Sequence, residues 1–205
     1  MKLKKVIIMI TVIVIINMIY IQTAFGHEFY KPIRWNHWQY TYAYIKVDRE
    51  YLSSSSCYQD NFYWSLWEWR TSPTRAYVTE TSYAESTCSV KTPTQSYWDS
   101  FGLESGVLCL NRLVDTGYYS FYTYGNSQYS NGYINYSWIY ANPSNNGESF
   151  IESSQQSIIE HEIGHAYGLW HCPELTTSVM WSEAGDDLYV ELQQHDIDDM
   201  WAMYP

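Results

Sequence analysis

The chain has 205 residues, with 11 Lys and Arg against 22 Asp and Glu, a net charge of −11 with histidine neutral. So acidic a balance argues against nucleic acid, which needs Lys and Arg to neutralise its phosphates, and against docking on anionic lipid. The length suits one domain with a real core.

Lys2, Lys4 and Lys5 precede an apolar run from Val6 to Ile21, and Ala24-Phe25-Gly26 puts small residues at minus three and minus one of a cleavage site. This is the pattern of a secretory signal peptide over residues 1–26, followed by a single domain over 27–205. An uncleaved anchor is the alternative, because the run is nearly long enough to span a bilayer. No other segment could cross a membrane. Cleavage would leave eight Lys and Arg against 22 acids, a charge of −14. In an extracellular protein the four cysteines, Cys57, Cys88, Cys109 and Cys172, suit two disulfides. Three pairings are open, and Cys57–Cys88 with Cys109–Cys172 is the most local. The aromatics, 19% of residues, read either as core and strand faces or as a groove for peptide or sugar.

Tyr40 to Val47 alternates as a first strand. Gln59 to Trp69 carries Phe62, Leu66 and Trp69 at helical spacing, and Ser72-Pro73 ends that helix. Ala76 to Thr81 and Gly106 to Leu113 read as strands, and the Ser/Thr-rich stretch from Ser82 to Ser105 between them as a long loop. Tyr118 to Tyr124 and Tyr133 to Ile139 are aromatic strands separated by turn residues. After the loop Asn142 to Gly147, a helix begins near Ser149 to Ser154, with Ser153 and Gln156 as a capping box. A last helix runs from about Val190 to Met203, with Leu192, Ile197, Met200 and Trp201 inward. Strands first and helices late give an α+β fold: a twisted mixed sheet packed on the helix that starts near Ser153, with a C-terminal helix.

That earlier helix carries the chemistry. His161 and His165 are four apart, so they project from one helical face and suit one metal ion. Glu162 follows the first of them and is placed for general-base work on a water at the metal. Gly168, three residues past His165, can take a left-handed conformation, end the helix and reverse the chain. The reversal returns His171 as a third ligand. Cys172 adjoins that ligand, but successive side chains point apart and the three-His set is complete without it.

The run from His161 to His171 resembles the extended zinc motif of the metzincin metallopeptidases. Ser178-Val179-Met180, nine residues on, resembles their Met-turn, which places Met180 beneath the ligands. The tail from Leu192 to Pro205 is similar to the closing helix of the matrixin branch. Only Asp196 of that branch's Asp pair is kept, and the family's role for it is a bond to the Met-turn backbone. Arg34-Trp35 and Tyr40-Thr41-Tyr42 are similar to the opening of a matrixin domain. Ser182 stands where astacin-like and serralysin-like relatives have a zinc-directed Tyr. No cysteine-switch propeptide is visible, and His27, His37 and His195 are too scattered for a second zinc site.

The resemblance implies a secreted zinc endopeptidase with a metzincin-like catalytic domain, and a monomer is the default because no heptad or repeat argues otherwise. It holds one catalytic Zn on His161, His165 and His171, with Glu162 as base. It implies a protein or peptide substrate paired with the strand around Tyr118, Tyr119, Ser120, Phe121 and Tyr122, and a pocket near Trp181. Calcium at Asp186, Asp187 or nearby acids competes with a solvated acidic surface. Two other readings stay open: a zinc-containing adhesion module with little turnover, and a hydrolase of cell-wall peptides.

Overall fold

The computed structural model describes residues 34–35, 38–39, 42–103, 107–115, 120–122, 133–144, 152–172, 176–181 and 191–204. Residues 1–26, Tyr118, Tyr119, Ser182, Asp186 and Asp187 lie outside them. The chain runs β1 (Arg34–Trp35), β2 (Trp38–Gln39), β3 (Tyr42–Asp48), α1 (Tyr58–Thr71), β4 (Ala76–Glu80) and a 3-10 turn (Tyr83–Glu85). It continues through β5 (Cys88–Lys91), α2 (Gln95–Asp99), β6 (Cys109–Asp115), β7 (Ser120–Tyr122), β8 (Tyr133–Ala141), α3 (Glu152–Tyr167) and α4 (Gln194–Met203).

The strands form one mixed sheet. Strand β3 pairs in parallel with β4 on one side and β5 on the other, and β5 pairs in parallel with β8. Strand β6 runs antiparallel to β8, and β7 antiparallel to β6. Parallel neighbours need a long crossover, and α1 supplies it between β3 and β4. In β3 the residues alternate from Ala43 to Val47: Ala43, Ile45 and Val47 have no exposure, and Tyr44 and Lys46 between them are half-buried. Helix α1 buries Tyr58, Asn61, Phe62, Ser65, Leu66 and Trp69, a stripe of period 3.6 that faces α3 and the sheet. Its small residues let the helices approach, and Ser65 Oγ donates to the Gln156 carbonyl of α3 at 2.9 Å. No helix among the described residues is long and apolar enough to cross a membrane.

The α+β character, α1, β3, β4, β6, β7 and β8 stand where the sequence puts them, within a few residues at the ends. The stretch from Ser82 to Ser105 is not a loop. It holds β5 and α2, and β5 is central, with Cys88 and Val90 fully buried and Ser89 beside them. Its serine and cysteine suit a strand covered on both faces because they are small, and Ser89 Oγ finds Asp48 Oδ1 at 3.2 Å. Thr94 caps α2 by accepting from Tyr97 N. Ser153 lies inside α3, not at its cap, so the box with Gln156 does not form the helix start. Helix α4 begins at Gln194, and its inward residues are Asp196, Asp199, Met200 and Met203. Trp201 is 41% exposed, under the Arg75 guanidinium at 5.0 Å. All four cysteines are described and none stands in a disulfide. Cys88 is locked in β5 between β3 and β8, and Cys172 Sγ turns to His195 Nε2 at 3.4 Å.

Candidate metal centre

Helix α3 packs against the sheet, and side chains from both sides donate into its backbone around His161. Asn111 Nδ2 of β6 bonds the Glu162 carbonyl at 2.7 Å, and Ser137 Oγ of β8 holds Asn111 Oδ1 at 2.8 Å. From the other side Trp69 Nε1 of α1 bonds the Glu160 carbonyl at 2.9 Å. The helix is thus pinned at the turn that carries His161 and Glu162.

The end of α3 is a Schellman motif. Gly168 has φ 99°, its N–H meets the His165 carbonyl at 2.9 Å, and Leu169 N–H meets the Gly164 carbonyl at 3.1 Å. The glycine read from sequence as the reversal point makes that reversal. The same turn orients the second histidine, because His165 Nδ1 donates to the Leu169 carbonyl at 2.8 Å. His161 Nδ1 donates in the same way to the Val179 carbonyl at 2.8 Å. A carbonyl only accepts, so both rings carry their proton on Nδ1 and leave Nε2 bare.

His161, His165 and His171 converge: one ring nitrogen from each lies within 4.8 Å of the others. Nε2 of His165 and Nε2 of His171 face one another at 3.1 Å. Zinc–nitrogen bonds of about 2.0–2.1 Å put tetrahedral corners about 3.3 Å apart, so this spacing fits two ligands of one ion. Cys172 stands apart from the cluster.

Burial tunes the groups. Desolvation holds His161 down to about 3, helped by the nearby His171 and opposed by the Val179 carbonyl. It holds His171 down to about 4 and His165 well below the usual value. All three are therefore neutral near pH 7, the form that ligates. Glu162 is buried, Oε2 has no hydrogen-bond partner, and desolvation raises its carboxyl to about 8. A divalent cation beside such a group would reverse that preference and favour the carboxylate. Three neutral imidazoles make a donor set that fits a borderline divalent metal.

Met180 lies in the turn over residues 176–181, fully buried, with its carbonyl bonded to Cys172 N at 2.9 Å. Asp196 of α4 holds this turn. Its Oδ1 accepts from Ser178 Oγ at 2.5 Å, and its Oδ2 from Val179 N at 3.2 Å and Gln193 N at 2.9 Å. The role that the resemblance gave to Asp196 is the one it plays. Trp181 leaves the turn half-buried, with its N–H on the Ser178 carbonyl at 3.1 Å. Ser120, Phe121 and Tyr122 form β7, which ends the strand order. Asn111 and Ser137 also build the site, and single polar residues in aromatic and apolar strands give no pattern by which a sequence could reveal them.

No family model and no curated protein matches the chain.

Proposed function

We propose that the chain is an exported zinc-dependent endopeptidase of the metzincin type, matrixin-like in its Met180 turn and closing helix. The observation that carries this reading is the convergence of three neutral imidazoles, with Glu162, next in sequence to the first of them, keeping a buried carboxyl oxygen without a hydrogen-bond partner. When bound, zinc supplies Lewis-acid chemistry, acidifying a water and polarising a carbonyl. The chain supplies the rest. Val179 and Leu169 fix two imidazoles in the ligating tautomer. Glu162 takes a proton on its carboxylate and delivers it to the leaving nitrogen. Strand β7, at the end of the strand order, offers backbone groups with which an extended peptide can pair, and Trp181 lies beyond the Met180 turn to line a pocket.

The test is cleavage of a diverse peptide pool by the chain lacking residues 1–26, beside Glu162→Ala and a chelated sample. Cleavage by wild type alone, lost on chelation and restored by zinc, is the expected result. One zinc per chain with no cleavage of protein peptides overturns it, and cleavage of murein peptides alone moves the substrate to the cell wall.

A further inference from the structure

Trp170 stands between Leu169 and His171, inside the run that carries the ligands, and no ligand role falls to it. The turn after Gly168 sets its direction. Leu169 before it and Cys172 after His171 have no exposure, so the inward places of this stretch are filled. Trp170 and His171 are both half-buried. Adjacent side chains of an extended chain point apart, but here the two rings lie side by side. Their centroids are 5.5 Å apart with 37° between the planes, and the Trp170 centroid is 6.2 Å from that of His165. The indole thus packs on two of the three imidazoles. Trp69 and Tyr167, which pack on one another at 5.4 Å, spend their rings in the core with no exposure. Trp170 keeps part of its surface open.

The histidine cluster is open on the same side. His165 is 1% exposed, whereas His161 and His171 are half-buried. A further ligand therefore reaches an ion held by the three from the side of His161 and His171. Each of those two is flanked by a different tryptophan. The turn that holds His161 through the Val179 carbonyl leads directly to Trp181, itself half-buried. The indole of Trp170 lies against His171. Binding sites combine aromatic walls with a few polar groups that fix orientation, and tryptophan is enriched where a partner covers an open ring.

We propose that Trp170 forms a subsite for a large apolar side chain of the substrate, aromatic or long aliphatic, beside the group that meets the metal. The proposal rests on the zinc peptidase reading and gives it a second point of choice. Because Trp181 and Trp170 flank different histidines, they take side chains from opposite sides of the scissile bond.

The test uses the exported protein loaded with zinc and two hydroxamates, which chelate zinc and differ only in side chain: acetohydroxamate and 3-phenylpropanohydroxamate. Zinc stoichiometry is measured first, then each affinity by calorimetry, so no turnover is needed. Expected is binding of the phenyl compound about tenfold or more tighter. Trp170→Ala should abolish that preference and Trp170→Phe should keep most of it, both with one zinc per chain. A preference that survives Trp170→Ala and falls in Trp181→Ala overturns the proposal by putting the ring at the Met180 turn. Equal weakening of both hydroxamates in Trp170→Ala overturns it too, since the indole then only steadies the imidazoles. Zinc bound with neither hydroxamate accepted overturns the subsite alone. A chain that takes up no zinc fails at the first measurement, and the metal-centre reading falls with the proposal.

Discussion

Gly164 rests against the thioether of Met180. A Cβ built on this glycine would overlap the Met180 sulfur and meet Cζ2 of Trp69 at 3.1 Å. A position that the spacing of the three histidines leaves variable is therefore fixed in this chain by packing. Gly164→Ala gains about 1 kcal/mol of helix propensity and meets about 1–3 kcal/mol of overpacking. A net loss of about 1 kcal/mol is expected in urea unfolding. Paired with Met180→Ala the methyl finds room, so the double variant should lose less than the two single losses summed. Additive losses would show that Met180 does not seat the helix.

Gly168→Ala forces a side chain onto φ 99°, at a cost of about 1–2 kcal/mol. The larger effect falls on the metal, because this turn sets both His171 and the bond to His165. Zinc affinity should drop by about tenfold or more, measured by competition with a chromophoric chelator. Affinity unchanged while stability falls would separate the turn from the site.

Asp196→Asn replaces a carboxylate that accepts from three donors, and about 1–3 kcal/mol should be lost near neutral pH. The pH trend has a definite sign. Burial pushes the Asp196 carboxyl above its ordinary 3.8, against the pull of Ser178, Gln193 and Val179. The folded chain then holds a proton that the unfolded chain releases, so this residue's contribution is fullest in acid and declines as pH rises through the raised value. The advantage of wild type over Asp196→Asn should shrink from pH 3 to 7 in paired urea titrations. An advantage that grows with pH would mean the carboxyl is held down instead.

Metal removal should act on stability as well as activity. An ion that binds only the folded chain adds about 2.7 kcal/mol at a hundred times its Kd. Chelation should lower the Tm of wild type, and zinc should restore it. His171→Ala, left with two imidazoles, should respond to neither at the same zinc concentration. A full zinc response in that variant would place the ion elsewhere.

Much of this was legible because it was periodic or spaced. The helical stripe Phe62, Leu66, Trp69 and the alternation of β3 announce the face each residue buries. The motif from His161 to His171 announces its own helix end. Strand β5 was hidden because a strand covered on both faces has no alternation, and Ser, Thr and Cys are the residues of loops as well. Trp201 misled because hydrophobicity suggested burial, whereas α4 spends its inner face on Asp196 and Asp199. Asp196 does not read as core without the Met180 turn to explain it, nor Asp199 without His195 at 3.6 Å. Asn111 is one polar residue in an apolar strand, and its partner on α3 is 51 residues away.

Asp196 Oδ2 is shared: Gln193 N belongs to the start of α4, and Val179 N to the turn that seats Met180 and orients His161. One oxygen thus closes a helix start and the turn beneath the histidine cluster together. Tyr204, just past α4, adds its hydroxyl to the Tyr167 carbonyl at the end of α3. During synthesis the three histidines leave the ribosome before the segment that braces them. A chain halted between Trp181 and Gln193 would carry every ligand yet lack the brace for its first imidazole. Timing is thereby built into the cluster, because the turn that orients His161 gains its Asp196 brace only after α4 has been made.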